Sequence, residues 1–373
     1  MPNLADLATL AAMPLEFCGM IGTRAASELD APGMSLVGGH VDKAFVRDFA
    51  QAHEQAGFDR VLIGYGSSGP DGFAVASYCA SVTDRLNFLI AHRPGFVAPT
   101  LAARKFATID QFTEGRVAVH IITGGNDAEM QRDGDFLTHD ERYRRTDEYL
   151  DVMKLEWTSE GPFDYDGEFY KVKRGATEVP CFQRPHVPVY YGGMSGPALP
   201  VGAKHADTYM VWGEPVASVQ ATMDEVQAEA AKHGRKPKFS VSFRPIIAKN
   251  EEAAWERARG YLERIVSLRG GTIPKYAPQN AGSHRLLALA EDGDVHDERL
   301  WTAIAKAVGA YGNTTALVGT PDQVCESLLR YYDAGVSTIL IRGFEPLADA
   351  SEYGKELIPM VRAEVAKRER AGA

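Results

Sequence analysis

The sequence predicts an α/β fold: a single (β/α)8 barrel of the TIM type with an insertion after its seventh strand. Three observations carry this prediction. Short β-branched runs alternate with amphipathic helical stretches almost from end to end, the pattern of parallel βα units. Eight such runs occur, and no internal repeat or low-complexity linker divides the 373 residues. Hydrophobic residues at 45% and charged residues at 24% supply an ordinary globular core. One domain over 1–373 is preferred to two, with a doubly wound sheet as the alternative.

The candidate strands are LEFCGMI (15–21), RVLIG (60–64), LNFLIAH (86–92), VAVHIIT (117–123), VPVYYGG (187–193), TYMVWG (208–213), FSVSFRPIIA (239–248) and STILIRG (337–343). Helices fill the gaps. DKAFVRDFAQAHEQAG repeats apolar residues at helical spacing and stops at the C-capping Gly57. TPDQVCESLLRYYDAG opens with Thr320 as N-cap and Pro321 in the first turn, then closes on Gly335. EGPFDYDGEFYKVKRG (160–175) reads as a hairpin. The insertion, 268–313, is rich in Gly, Pro and charge. It is expected either to cover the active-site face as a lid or to pack against a neighbouring subunit.

Charge and cysteine usage narrow the function. A net charge of −10 argues against nucleic acid or a membrane surface as partner, while allowing a local basic pocket for a small anion. Cys18, Cys79, Cys181 and Cys325 lack CxxC or metal-ligand spacing, so reduced thiols in a cytoplasmic protein are expected. The N-terminal stretch carries Asp6 and has no positive n-region, which disfavours a signal peptide. No run approaches the roughly 20 apolar residues of a membrane span.

In barrels of this type chemistry collects at the C-terminal ends of strands. Those ends offer Thr23 and Arg24, Tyr65 with Ser67 and Ser68, His92 and Arg93, His120 with Thr123, Gly192 to Ser195, Trp212, Arg244 and Arg342. This basic and aromatic set suits a planar anionic ligand better than a divalent metal, and the histidines lie singly without metal spacing. No GxSxG elbow supports a serine nucleophile. YYGGMSGPALP places backbone N–H groups and Ser195 at a strand-to-helix junction, either a phosphate site or a tight turn that needs glycine. HDERYRRTDEYL puts Arg142, Tyr143, Arg144 and Arg145 at a helix head, to grip the same phosphate or to form i,i+4 charge pairs.

LIAHRPGFVAPTLAARKFATIDQFTEGRVAVHIITGG, DGDFLTHDERYRRTDEYL, PVYYGGMSGPA, MVWGEP followed by HGR, and TALVGTPDQV together resemble one family. It is the bacterial-luciferase-like flavin monooxygenases, specifically the alkanesulfonate monooxygenase branch. The resemblance spans nearly the whole chain and implies a luciferase-like TIM barrel. It implies FMN as FMNH2, supplied by a separate NAD(P)H-dependent flavin reductase, with O2 and a small organic molecule as substrates. A homodimer or homotetramer is implied as well.

Carried over residue by residue, the resemblance sets His120 beside the isoalloxazine edge, where the family usually has Asn; a core histidine is the competing view. It sets Tyr143, with Arg142, and Ser195, with the backbone of Met194, at the FMN phosphate, and Gly64 and Tyr65 against the flavin ring. Arg93 and Arg244 would steady an anionic substrate or hold loops by salt bridges, and Trp212 would wall the pocket or fill it.

The sulfonate apparatus of that branch is altered: Thr23 and Gly69 replace a His and a Cys, Ser242 and Arg244 an Arg-x-His pair, and Phe344 and Pro346 a Tyr-x-His pair. A sulfonate cleaved to sulfite and a carbonyl compound is thus one expectation among several small organic substrates. A deazaflavin-dependent hydride-transfer enzyme on the same fold and a non-catalytic flavin-binding protein are the rivals.

Overall fold

The computed structural model describes residues 15–25, 39–268 and 278–372. The strands are β1 (Glu16–Ile21), β2 (Arg60–Ile63), β3 (Asn87–His92), β4 (Val117–Ile121), β5 (Phe163–Asp166), β6 (Lys171–Gly175), β7 (Val189–Gly192), β8 (Thr208–Trp212), β9 (Lys238–Ile247), β10 (Val295–His296), β11 (Leu300–Trp301), β12 (Ala316–Gly319) and β13 (Thr338–Ile341). Parallel pairing runs β1–β2–β3–β4–β7–β8–β9–β13 and returns to β1, which closes an eight-stranded barrel. All eight predicted runs supply its staves, and β5 and β6 form the expected antiparallel hairpin.

Helices return the chain between staves: α1 (Lys43–Gln55), α2 (Gly72–Ala80), α3 (Pro99–Phe112), α4 (Asp127–Arg132), α5 (His139–Thr158), α6 (Ala198–His205), α7 (Val216–Ala231) and α8 (Glu251–Leu268). The series ends with α9 (Ala281–Asp292), α10 (Ala303–Ala307), α11 (Pro321–Asp333), α12 (Pro346–Glu356) and α13 (Ile358–Gly372). The caps form as the residue types dictate. Asp42 accepts from the Phe45 N–H, and Thr320 and Gln323 make a reciprocal capping box at the head of α11. Gly57 and Gly335 follow their helices with φ of 83° and 105°, a region costly for any residue with a Cβ.

Alternation along the staves divides the core in two. Phe17, Phe88, Ile90, Val189, Tyr191, Phe239 and Ile339 face the helices in one continuous cluster. Leu89, Ala118 and Tyr190, with Leu62 and Met210, pack inside the barrel. Below them the Arg60 guanidinium lies 5.2 Å over the Tyr190 ring and 3.8 Å from Glu16. The N-terminal end of the barrel is thereby filled, and the C-terminal mouth is left for a ligand.

One stave differs from the simple pattern. β9 outlasts the barrel: Ser240–Phe243 lie opposite β13, but Arg244–Ile247 lie opposite β12, a strand absent from the eight predicted runs. β10 and β11 extend that outer ribbon in antiparallel pairing. The insertion joins α8 to β12, and its described part, 278–313, is bolted to the loop after β8. Arg285 Nε donates to Glu214 Oε1 at 2.8 Å, and the Val216 N–H to Asp297 Oδ2 at 2.7 Å. Residues 269–277 of the insertion, and the N-terminal stretch that carries Asp6, lie outside the described residues. Among the described residues no helix is long and apolar enough to cross a membrane.

Candidate functional site

The C-terminal ends of β1, β2, β4, β7, β8, β9 and β13 open into a cavity of about 450 Å³, within the range of small-molecule and cofactor sites. β4 and β7 make one wall, where register sets His120 beside Tyr190 and Ile121 beside Tyr191. His120 points inward, and both its ring nitrogens are buried without a hydrogen-bond partner. Burial pushes its pKa down to about 4, so the ring is neutral near pH 7 and offers one donor and one acceptor. Gly192 is needed opposite it, because a Cβ there would lie 2.9 Å from His120 Nε2.

Where β7 turns into α6, Gly193, Met194 and Ser195 line the cavity beside Tyr143 of α5. Ser195 Oγ is buried and makes no hydrogen bond of good geometry, with the Tyr143 phenol as its polar neighbour. Burial raises the Tyr143 phenol above its ordinary value, so it stays a donor. A second hollow of about 460 Å³ continues from this end, sharing Gly125, His139, Ser195 and Ala281 with the first and adding Arg142. The Arg142 side chain is 2% exposed; its Nη2 donates to Asp127 Oδ1 at 2.8 Å and its Nη1 to Leu137 O at 2.7 Å, while Nε has no partner.

Tyr65 and Arg93 stack on the neighbouring wall, the guanidinium 4.6 Å from the ring centroid. Tyr65 donates to Asp133 at 2.8 Å, and burial together with that carboxylate pushes the phenol up to about 12. Arg93 is not an isolated cation, since Glu129 Oε2 lies 3.0 Å from its Nη2. Trp212, at the end of β8, also lines the cavity, with its ring pressed on Gly282 of the insertion.

Of the predicted residues, Arg142 lines only the second hollow, and two others line neither. Gly64 follows β2 directly but is not part of the lining. Arg244 is fully buried at the fork of β9, with Nε donating to Asn313 O at 3.1 Å, Nη1 to Gly343 O at 3.2 Å, and its guanidinium 4.7 Å from the Phe344 ring. It was expected near the end of a stave. The strand continues past the barrel to reach β12, and this carries the side chain behind the wall.

The structure adds Glu129 and the insertion residues Asn280 to Ser283, Tyr311 and Asn313 to the lining. The Asn126–Asp127 pair after β4 was a signal for Glu129, one turn further on; nothing in the local sequence marks the insertion residues. The structure also assembles Asp147, Asp151 and His205 at metal-ligand separations, a grouping the sequence spacing did not suggest. Lys204 Nζ sits 2.8 and 2.9 Å from the two carboxylates, so an ammonium already offsets part of their charge.

Residues 15–338 match the family described as Luciferase-like monooxygenase. The chain belongs to this family. Among solved structures of the same fold, the riboflavin lyase RcaE, with modified FMN and riboflavin, has a TM-score of 0.75 at 16% identity, covering 94% of this chain and 92% of that one. DmoA from Hyphomicrobium sulfonivorans has a TM-score of 0.74 at 20% identity, covering 94% and 88%. An F420-dependent secondary alcohol dehydrogenase in complex with an F420-acetone adduct has a TM-score of 0.66 at 17% identity, covering 94% and 99%. An F420-dependent alcohol dehydrogenase thus shares this barrel, and the chemistry must be argued from the mouth.

Proposed function

We propose that this luciferase-like monooxygenase is the oxygenase component of a two-component system, using FMNH2 from a separate NAD(P)H-dependent reductase. The observation that carries the reading is the β4–β7 wall. His120 Nδ1 and Nε2 and Ser195 Oγ, all buried and without a hydrogen bond of good geometry, border one cavity with Tyr143. A buried polar group without a partner costs about 1–3 kcal/mol, so three such atoms around one hollow fit a ligand with polar edges and a phosphate.

Tyr143, Ser195 and the Met194 backbone would hold the phosphate, and Arg142 would supply positive charge behind it. Neutral His120 would meet the polar edge of the ring system with a donor and an acceptor, and Gly192 allows close approach. Bound reduced FMN supplies the electrons that let O2 deliver one oxygen atom to an organic substrate, the other leaving as water. Around it the chain excludes water with Met20, Leu62, Trp212 and the insertion, and turns the Arg93–Tyr65 stack toward the substrate.

The Arg93–Glu129 pair and the turned-away Arg244 withdraw two of the expected cations, while Arg342, after β13, lines the cavity. A sulfonate, cleaved to sulfite and a carbonyl compound, is therefore one substrate class to test beside sulfones, amides and heterocycles.

The experiment supplies the chain with a flavin reductase, NADH and FMN, and follows substrate-dependent products by mass spectrometry with ¹⁸O₂. A product carrying one labelled oxygen is expected from at least one class. Turnover only under anaerobic conditions with a reduced deazaflavin would support hydride transfer instead.

A further inference from the structure

The second hollow is roofed by the insertion rather than by the barrel. Its lining combines Arg142 and Ser195 from the barrel side with Gln279, Ala281 and His284 from the head of α9. We propose that this helix head is part of the phosphate-binding site, so that a phosphate monoester ties the insertion to the barrel. The inference rests on the FMN reading above and extends it to residues that reading does not use.

Four features of this chain support it. First, α9 is 12 residues long, and Asn280 caps it with the side chain accepting from the Ser283 N–H. The first N–H groups of any helix lack carbonyl partners within it, and the helix dipole places positive potential at that end. Ala281, the first helical residue, lines both hollows.

Second, two buried donor atoms belong to side chains that line the same space: Arg142 Nε, without a partner on a side chain only 2% exposed, and Ser195 Oγ, whose polar neighbour is the Tyr143 phenol. Third, the roof is fixed at that spot. The Asp127 N–H donates to Gln279 Oε1 at 2.8 Å, and a Cβ on Gly125 would meet the Asn280 Cβ at 2.9 Å. Fourth, the imidazole of His284 stands at the exposed rim, where it can donate to a phosphate oxygen. The adverse group is Asp127, whose carboxylate borders the hollow; Arg142 Nη2 engages its Oδ1 at 2.8 Å. A doubly charged phosphate would thus be met by donors from three elements, α5, the β7–α6 turn and α9.

The test uses the full-length chain, titrated in the dark with FMN and with riboflavin, which lacks only the phosphate, and followed by flavin fluorescence. Ala281→Pro deletes one N–H while keeping a residue favoured at a helix's first position; Asn280 before it already has φ −90° and ψ 144°, the conformation a following proline requires. His284→Ala removes the rim donor without touching the backbone. Far-UV circular dichroism checks that each variant is folded.

Each change is expected to weaken FMN about ten- to hundredfold, the size of one hydrogen bond to a charged group, while riboflavin moves less than about twofold. Unchanged FMN affinity in both variants, or equal losses for FMN and riboflavin, would overturn the inference and leave the flavin reading standing. A wild-type chain that binds neither flavin would overturn both.

Discussion

Two walls border the same mouth and use their polar side chains in opposite ways. On the β4–β7 wall, His120 and Ser195 reach the cavity with ring nitrogens and a hydroxyl that make no hydrogen bond of good geometry within the protein. On the β9 side, Arg244 spends Nε and Nη1 on the carbonyls of Asn313 and Gly343 and stacks on Phe344. A strand that ends with the barrel turns its last side chains to the cavity; one that runs on, as β9 does past Phe243, turns them to its own loops. The first wall leaves polar atoms facing the cavity, and the second holds the insertion's return segment in place.

The largest effect expected from this contrast is on the first wall. Tyr143→Phe combined with Ser195→Ala should cost FMN about 4 kcal/mol, roughly a thousandfold in affinity, because two hydrogen bonds to a charged group are lost. Riboflavin, titrated in parallel, should be nearly unaffected.

Arg244→Met should act oppositely. It should lower unfolding free energy by about 3 kcal/mol in urea titrations, since two buried carbonyls lose their donor, and leave FMN affinity of the folded chain unchanged. A large loss of FMN affinity there would erase the distinction between the walls.

Next in size is the pH response of His120, whose folded pKa of about 4 lies below the ordinary 6.5. The unfolded chain takes up this proton first, so the contribution to stability is present above pH 6.5 and is lost as pH falls toward 4. His120→Asn should reduce the stability lost between pH 7 and 5 by about 2 kcal/mol relative to the wild type. Buried His53, His92 and His205 are shifted the same way and will keep the background slope steep.

Smallest is Gly192→Ala, about 1 kcal/mol of crowding against His120. It should be relieved in the Gly192→Ala/His120→Ala pair, which a double-mutant cycle on unfolding free energy would show.

The staves were legible because parallel strands buried on both faces leave near-continuous apolar runs between well-signalled helix caps, as at Thr320 and Gly57. β12 escaped because its four residues, Ala316–Gly319, run straight into the Thr320 cap and pair outside the barrel, with the overrun of β9 and with β11. That His120, Tyr143, Ser195 and Trp212 line the cavity follows from their places at stave ends and helix heads, a rule of local sequence. Contacts such as Asp127 with Gln279, 152 residues apart, follow no local rule. The pairing of Glu129 with Arg93 was hidden for a different reason: it is a matter of side-chain direction, which strand-end counting does not supply.

The most direct measurement is a crystal structure of the chain soaked with FMN. The phosphate should lie against Tyr143 and Ser195, with the ring system along β4 beside His120. FMN bound elsewhere, or at the mouth without touching Tyr143, Ser195 or His120, would contradict the account.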